Sequence, residues 1–349
     1  MRNFFISANT KNGFFSLYDR IFDNEKLDKI FVILGGPGTG KSTLMRRISA
    51  TACGLGAEAE YFYCSSDIHS LDGVILTHGE KRVGILDGTP PHPRTVTAPA
   101  VTEEIWNVSD FWDNNRLDEQ KEAIEKATAE KKQAYRRAYA FLSAAGALHD
   151  EGCAIAESAF RHRKAIEVIR RKLPALSRHG ERSERLLRCY AMQGEKIVPE
   201  VTDGVTRLIP LRGNQYSAEV YLSIFASVLE KEHLEHLVLC SPLDPKRTDG
   251  IYFPATGVLL CKESLLLGDI KGRGLHLSAY EEKTLDLRLS KRIAKEEERL
   301  IQESKSALAE VKEKHFYLEQ TFSSAMNFEK MKKQSKNWEE RALKALGLF

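Results

Sequence analysis

The stretch "IFVILGGPGTGKSTLM" (residues 30–45) determines the fold that we expect for this chain. An apolar run rich in Ile and Val, typical of a buried strand, leads into a glycine-rich segment, and "TLMRRIS" then shows helical spacing. Residues 35–42 match the pattern G-x-x-x-x-G-K-[ST] of a phosphate-binding loop, in the strand–loop–helix context that this motif requires. The stretch therefore predicts a nucleotide-binding α/β domain built on a parallel sheet flanked by helices.

The residue types of this loop suit the binding of nucleotide phosphates. Glycine allows the backbone N–H groups to come close to an anion and to take positive φ angles, and the following helix directs its N-terminus at the same place. Lys41 is expected to reach the β- and γ-phosphates, and Ser42 is expected to hold Mg²⁺. With ATP and Mg²⁺ as the expected ligands, the predicted binding residues are Gly35, Gly36, Pro37, Gly38, Thr39, Gly40, Lys41, Ser42 and Thr43.

Carboxylates that follow other apolar runs are candidates for the remaining chemistry. Asp87 ends "VGILD", the form of the strand-end aspartate that holds the water shell of Mg²⁺. No glutamate stands beside it to activate water, so hydrolysis is expected to be slow. Asp67 follows "YFYC" and suits a general base, or else a turn residue. Asp72 and His92 are weaker candidates, since a turn aspartate and an exposed histidine explain them as well.

The second half of the chain repeats the first. "RLIPLRGNQYSAEVYL" (residues 207–222) has the same rhythm of apolar run, glycine and helix, and Gly213 aligns with Gly36. Downstream, "CSSDIHSLDG" (residues 64–73) aligns with "CSPLDPKRTDG" (residues 240–250). Because these matches keep their order and an almost constant offset, we predict an internal duplication.

The second copy lacks the residues that are predicted to bind phosphate and Mg²⁺ in the first. Ala218 replaces the loop lysine, Glu219 replaces the Mg²⁺ serine, and Cys261 replaces the strand-end aspartate. A carboxylate without a compensating cation at this place would repel a phosphate, so this copy is predicted not to bind nucleotide. Two roles stay open for the second copy: a structural partner of the first half, or the source of a cation that acts at the first half's site. The candidate cations are Arg212, Lys246, Arg247 and Arg273.

Charged, alanine-bearing helical segments follow each α/β part. The first begins near Ser109 or Asp113, either of which can cap it, and the second begins near Tyr280. The mixed charges of the second segment suit a helix that packs against another helix. The predicted limits are a nucleotide domain at 1–115, a helical insert and connector at 116–190, a degenerate α/β domain at 191–280 and a helical region at 281–349.

Composition narrows the classes of function. A net charge of +3 over 349 residues does not favour nucleic acid, and the ten Lys and Arg against three Glu in residues 161–188 fit a solvated helix face. The start of the chain has no leader-like apolar run, and no segment approaches the roughly 20 apolar residues of a membrane span. The six scattered cysteines indicate reduced thiols. A cytoplasmic protein is expected, and a protein partner for the helical arms stays open.

Six segments carry a resemblance to a known family: "NTKNGFFSLYD", "GGPGTGKSTLM", "YCSSDIHSLDGVIL", "LDGTPPH" with "DFWD", and "AMNFEK". With these segments the chain resembles a little-characterised family of bacterial tandem P-loop ATPases, in which two P-loop halves each carry a helical insert. It implies an ATP-binding protein through residues 35–43 and Asp87, and it supplies no substrate. The degenerate second loop departs from the family pattern of two intact loops.

Three functions are compatible with the sequence. The first is a slow ATP hydrolase, a P-loop NTPase with one working site in the N-terminal half. The second is a small-molecule or nucleotide kinase that uses Asp67 as its base, with the helical arms as a lid. The third is a non-catalytic nucleotide sensor or scaffold that changes shape through its helices.

Overall fold

The structure is a computed structural model that describes residues 2–90, 96–176, 178–266 and 273–349. His92 lies outside the described residues. The described part of the first half contains β1 (Asn3–Phe5), β2 (Ser7–Thr10), β3 (Gly13–Ser16), α1 (Tyr18–Ile21), β4 (Lys29–Leu34), α2 (Lys41–Gly54), β5 (Glu58–Tyr63), β6 (Leu71–His78), β7 (Lys81–Asp87), β8 (Glu103–Asn107), α3 (Asn114–Asp118), α4 (Lys121–Ser158) and α5 (His162–Lys172).

The second half follows the same order of elements. It contains β9 (Arg182–Arg185), β10 (Arg188–Ala191), β11 (Gly194–Ile197), β12 (Arg207–Arg212), α6 (Gln215–Lys231), β13 (His236–Cys240), β14 (Thr248–Phe253), β15 (Val258–Lys262), β16 (Leu275–His276), α7 (Leu287–Ser324) and α8 (Phe328–Ala345). The second α/β domain was predicted to begin at residue 191. Its sheet includes β9, so the domain begins earlier than predicted.

The two six-stranded sheets have the same topology. The first has the order β1-β5-β6-β7-β4-β8, and the second has the corresponding order β9-β13-β14-β15-β12-β16. Even an irregularity recurs, since the register shifts between Phe62 and Tyr63 in one sheet and between Leu239 and Cys240 in the other. The predicted duplication is therefore confirmed as two similar α/β halves.

The predicted parallel sheet flanked by helices is confirmed only in part, because each sheet is mixed, with mostly parallel strands. β6 runs antiparallel to both β5 and β7, and β14 does the same in the second sheet. The reason is the length of the connections. Only Gly79 and Glu80 separate β6 from β7, and a parallel crossover needs a dozen or more residues. The other neighbouring pairs, including β4 with β7 and β4 with β8, are parallel.

A β-hairpin from each half reaches toward the other half. β2 pairs with β3, and β10 pairs with β11, each across a tight turn. The Lys11 N–H donates to the carbonyl of Leu243, and the Met192 N–H donates to the carbonyl of Ser66. Ser66 lies in the loop after β5, and Leu243 lies in the loop after β13. Each hairpin turn therefore contacts the loop that follows the corresponding strand of the opposite half.

The long helices α4 and α7 pack against each other along their length, as the mixed charges of the second helical segment predicted. They are antiparallel: Lys131 lies beside His315, and His149 lies beside Glu297. Although α4 and α7 have 38 residues each, no described helix is both long and apolar enough to span a membrane.

The ends of the helical segments are exchanged between the halves. α8, at the C-terminus, packs on α2 of the first half, and α5 packs on α6 of the second half. Trp338 of α8 stacks on Trp106 of β8 with ring centroids 5.3 Å apart, inside the core formed by the first sheet. Arg47 and Thr51 of α2 both bind the carboxylate of Glu339. The C-terminal helix is therefore part of the packing unit that holds the glycine-rich loop.

Candidate functional site

The glycine-rich loop (residues 35–40) lies at the C-terminal end of β4, between the ends of β7 and β8. α2 begins directly after it at Lys41, with Gly40 as the N-cap residue. Gly38 and Gly40 have φ angles of +69° and +80°, which side chains other than glycine rarely adopt. The local conformation therefore requires glycine at these two positions, as the motif predicted.

Lys41 and Asp87 converge beneath this loop. The Lys41 side chain is only 10% exposed, and its Nζ lies 3.5 Å from Oδ2 of Asp87. The same Nζ donates to the carbonyls of Gly35 and Gly36 at 2.8 and 2.7 Å. β4 and β7 place the two side chains together because they pair in parallel, with Ile33 opposite Asp87. A buried ammonium and a carboxylate thus meet where the motif predicted a phosphate and Mg²⁺ site.

The other predicted loop residues surround this pair. Thr39 donates its hydroxyl to the Gly36 carbonyl at 2.8 Å, and the Ser42 hydroxyl accepts from the N–H of Leu71 at 2.9 Å. The Asp87 carboxylate also accepts from the N–H of Thr89 at 2.8 Å. Thr43 is exposed on the first turn of α2. Oxygen atoms of Ser42 and Asp87 are of the kind that Mg²⁺ prefers, so these two residues could hold the ion.

The end of α7 covers the loop from outside. A methyl group added at Gly38 would lie 2.3 Å from the carbonyl oxygen of Glu319 and 3.1 Å from the Cβ of Ser323. At Gly36 the same addition would meet the indole of Trp112 at 3.0 Å, and that ring packs on Phe322 of α7. Gly36 and Gly38 therefore leave room for the second half of the chain to lie against the loop of the first half.

Asp67 lies in the turn after β5, and hydrogen bonds hold its side chain there. Oδ1 accepts from Nε2 of Gln193 at 2.8 Å and from the N–H of His69 at 3.3 Å. Gln193 belongs to the turn between β10 and β11, so a residue of the second half fixes this carboxylate. Asp72 is buried in β6, with Gly73 next to it, and it lies in a strand rather than in the predicted turn.

A cluster of residues from the two long helices completes the polar surroundings. Lys131 of α4 lies 3.1 Å from Nδ1 of His315 on α7, and the hydroxyls of Ser66 and Tyr135 are 3.0 Å apart. Burial and then the charges of Lys131 and Lys41 lower the pKa of His315 to about 4. Burial lowers the pKa of Lys131. The imidazole of His315 is therefore neutral at pH 7.

The corresponding place in the second half is filled by a carboxylate of the protein itself. Glu219, one residue into the helix from the lost lysine position, is 1% exposed. Its Oε2 lies 2.6 Å from Nζ of Lys262, and its Oε1 lies 2.7 Å from Nη1 of Arg247. The expectation of an uncompensated charge is wrong, because Lys262 and Arg247 neutralise Glu219. Burial alone would raise the pKa of Glu219, but Lys262 and His149 hold it well below its ordinary value.

These ion pairs extend through the second half as one network. Lys262 also binds Asp249, the counterpart of Asp72, at 2.9 Å. Arg188 binds the other oxygen of Asp249 at 2.8 Å. Lys11, from the hairpin of the first half, reaches Asp150 at 2.7 Å and Asp244 at 2.9 Å. Because its cations are already paired with carboxylates, this network offers a phosphate no free positive charge.

Two of the four cations proposed to reach the glycine-rich loop are paired with carboxylates elsewhere. Arg247 binds Glu219 and Asp150, and Arg212 lies 3.2 Å from Glu263. The backbone N–H of Lys246 donates to Oδ1 of Asp244, and Arg273 is exposed beside β16. The second half instead reaches this region through Gln193, which binds Asp67, and through residues that lie against the loop glycines, namely Glu319, Phe322, Ser323, Phe328 and Met331.

His149 stands at the centre of the network, between two carboxylates. Its Nε2 is 2.9 Å from Glu219 and its Nδ1 is 2.9 Å from Glu297. Burial alone would lower the pKa of His149, but hydrogen bonds with Cys153, Glu219 and Glu297 raise it to about 12. The ligand atoms of His149, Cys153 and Glu219 lie within 4.8 Å of one another, a set that could hold a metal ion. Since Lys262 and Arg247 already bind Glu219, an added cation would meet two positive charges there, and we interpret the set as part of the ion-pair network.

The charge of His149 predicts a pH-dependent stability. The imidazole binds its proton more tightly in the folded chain than in the unfolded chain, where its pKa is about 6.5. Its stabilisation is therefore complete below pH ~6.5 and is lost as the pH rises toward the folded-state value. In denaturant titrations, the difference in unfolding free energy between wild type and His149→Gln should shrink from pH 7 to pH 9, by up to about 1.4 kcal/mol per pH unit.

A matched control for this prediction is His276→Gln, which changes an exposed histidine. This variant should keep a constant difference from wild type over the same pH range. A His149→Gln difference that is equally constant would show that His149 is not a bound imidazolium.

The sequence analysis missed several residues at the glycine-rich loop and in the ion-pair network of the second half. Glu319, His315 and Lys131 lie on helices far from the loop in sequence, and only the folding-back of α7 on α4 brings them to it. His149 and Cys153 are four residues apart, a spacing that places both side chains on one face of a helix. This spacing was the signal in the sequence for the cluster that also contains Glu219. None of the six cysteines, all of which lie in the described ranges, forms a disulfide.

Comparisons with protein-family models, with curated proteins and with solved structures give no match to this chain.

Proposed function

We propose that this chain is a Mg²⁺-dependent, ATP-binding P-loop NTPase with one nucleotide site, which lies in its N-terminal half. The observation that supports this most strongly is the meeting of Lys41 and Asp87 beneath the glycine-rich loop, 3.5 Å apart. The loop lies between a central strand and a helix N-terminus, where backbone N–H groups stabilise an anion. In this proposal the ammonium of Lys41 leaves the loop carbonyls for the β- and γ-phosphates, while Asp87 and Ser42 hold Mg²⁺ and its water shell.

The asymmetry between the halves supports a single site. The strand registers match, with Ile33 opposite Asp87 in the first sheet and Pro210 opposite Cys261 in the second. The first half therefore presents a lysine, a serine and an aspartate at the positions where the second half presents Ala218, Glu219 and Cys261. In the second half a buried, paired carboxylate takes the place of a ligand.

A second candidate function, a nucleotide-dependent switch without turnover, is favoured by one observation. The carbonyl of Glu319 and the side chain of Ser323 lie against Gly38 so closely that nothing larger than glycine fits. A phosphate that enters the loop would press on the end of α7, and α7 is joined to α8, which packs on α2. Binding would then be transmitted to the long helices. Turnover of ATP separates this candidate from the hydrolase.

The test of the proposed function is a nucleotide panel in a thermal-denaturation assay. ATP with Mg²⁺ should raise the midpoint, because a ligand that binds the folded chain at 100 times its Kd adds about 2.7 kcal/mol of stability. ATP with EDTA should raise it less, and inorganic phosphate is expected to have a small effect. If no nucleotide moves the midpoint at millimolar concentration with Mg²⁺ present, the proposal is wrong.

A further inference from the structure

The first half contains carboxylates near the glycine-rich loop, but the nearest ones are already engaged. Asp87 binds Lys41 and the N–H of Thr89. Asp67 accepts hydrogen bonds from Gln193 and from the N–H of His69. A general base needs a free lone pair directed at the reacting proton. Asp87 is therefore committed to Lys41, whereas Asp67 is held by the protein through only one of its two oxygens.

Glu319, from the second half, differs from both. It is half-buried on the last turns of α7, and its Cγ lies 3.1 Å from the position of a methyl group added at Gly38. Within the described ranges its carboxylate forms no hydrogen bond and no ion pair. Burial and the charge of Asp67 raise the pKa of Glu319, and the charge of Lys41 opposes them. An unpaired carboxylate therefore lies at the rim of the loop, within the electrostatic reach of Lys41.

Lys41 and Glu319 both contact the glycine-rich loop. The Lys41 Nζ lies under the carbonyls of Gly35 and Gly36, and a P-loop lysine reaches the β- and γ-phosphates. Glu319 lies over Gly38, the middle of the same loop. Because Lys41 would bind the terminal phosphates and its charge acts on Glu319, we place the Glu319 side chain at the phosphate end of the proposed site.

We infer that Glu319 is the water-activating base of the nucleotide site, contributed by the C-terminal half to the loop of the N-terminal half. This inference rests on the proposed function. The Glu319 carboxylate accepts a proton from a water molecule as the water oxygen forms a bond to the γ-phosphorus. The bond between that phosphorus and the β–γ bridging oxygen breaks, and its electron pair leaves with ADP. Glu319 then releases the proton to solvent, so that ATP and water give ADP, phosphate and a proton.

Glu319→Gln tests the assignment, because glutamine keeps the size of the side chain and cannot accept the proton. ATP turnover should fall by about 100-fold or more, the ordinary contribution of a general base, while the affinity for Mg-ATP measured by calorimetry stays within a few fold. Glu319→Asp should restore part of the rate. The limb of the kcat/KM profile that rises with pH in wild type should be absent from Glu319→Gln.

The matched control is Glu313→Gln, which removes an exposed carboxylate from the same helix and should keep the wild-type rate. Wild-type turnover in Glu319→Gln would overturn the inference. So would a wild-type chain that binds Mg-ATP and does not hydrolyse it, and the binding proposal would then still stand. A wild-type chain that binds no nucleotide would instead refute the proposed function itself.

Discussion

Glu219→Gln is expected to lower the free energy of unfolding by about 3–5 kcal/mol, since it breaks a buried ion pair and leaves the partner charges uncompensated. Glu219 is 1% exposed and accepts from Lys262 and Arg247 at 2.6 and 2.7 Å. Lys262 is buried too, and of its two carboxylate partners it retains only Asp249 after the change. The loss should appear in denaturant titrations at pH 7 as a lower midpoint.

Two further variants sharpen this prediction. Glu232→Gln removes an exposed carboxylate just after the same helix, 3.5 Å from Arg170, and should cost less than about 1 kcal/mol. The double variant Glu219→Gln, Lys262→Met removes both partners and should lose less than the sum of the two single changes, because contacting residues couple. A loss for Glu219→Gln as small as that of the Glu232→Gln control would show that Glu219 is not the centre of the network.

Lys41→Ala is expected to weaken Mg-ATP binding by about 10- to 100-fold or more, since hydrogen bonds to charged groups contribute about 1.5–3 kcal/mol and each 1.4 kcal/mol is tenfold in Kd. In the free chain Nζ already donates to two loop carbonyls and lies near Asp87. These contacts hold the ammonium where the phosphates would bind. Calorimetric titration of the variant with Mg-ATP measures the loss.

Lys26→Ala provides the control for Lys41→Ala, because it removes the same charge from an exposed position at the opposite end of β4. Its affinity for Mg-ATP should equal that of wild type. Thermal midpoints of both variants without ligand show whether the fold is kept. If folded Lys41→Ala binds Mg-ATP as tightly as wild type does, the glycine-rich loop is not the nucleotide site.

The central strands and the glycine-rich loop could be predicted because their signals are local. Apolar runs such as "IFVIL" and "RVGIL" became β4 and β7, and the equivalent runs of the second half became β12 and β15. The repeat was visible because both halves keep the same order of runs and turns. The placement of Asp87 beside Lys41 followed from the parallel pairing of neighbouring strands.

The remaining features depend on contacts between distant parts of the chain. The strands β9, β10 and β11 have only four residues each and β9 is polar throughout, so pairing with the rest of the fold gives them their conformation. The exchange of α5 and α8 between the halves has no local signal. Glu319 reaches Gly38 because α7 folds back on α4, which the local sequence does not show either. The compensation of Glu219 needed Arg247, Lys262 and His149 to converge from three separate elements.

The measurement that tests the central claim most directly is the number of Mg-ATP molecules that wild type binds. The degenerate copy keeps Glu219 where a ligand would enter, and its cations are paired. Calorimetric titration should therefore give one Mg-ATP per chain, and Glu219→Gln should not create a second site of comparable affinity. Two equivalent molecules per chain, or none at any concentration tested, would contradict an asymmetric protein with a single nucleotide site.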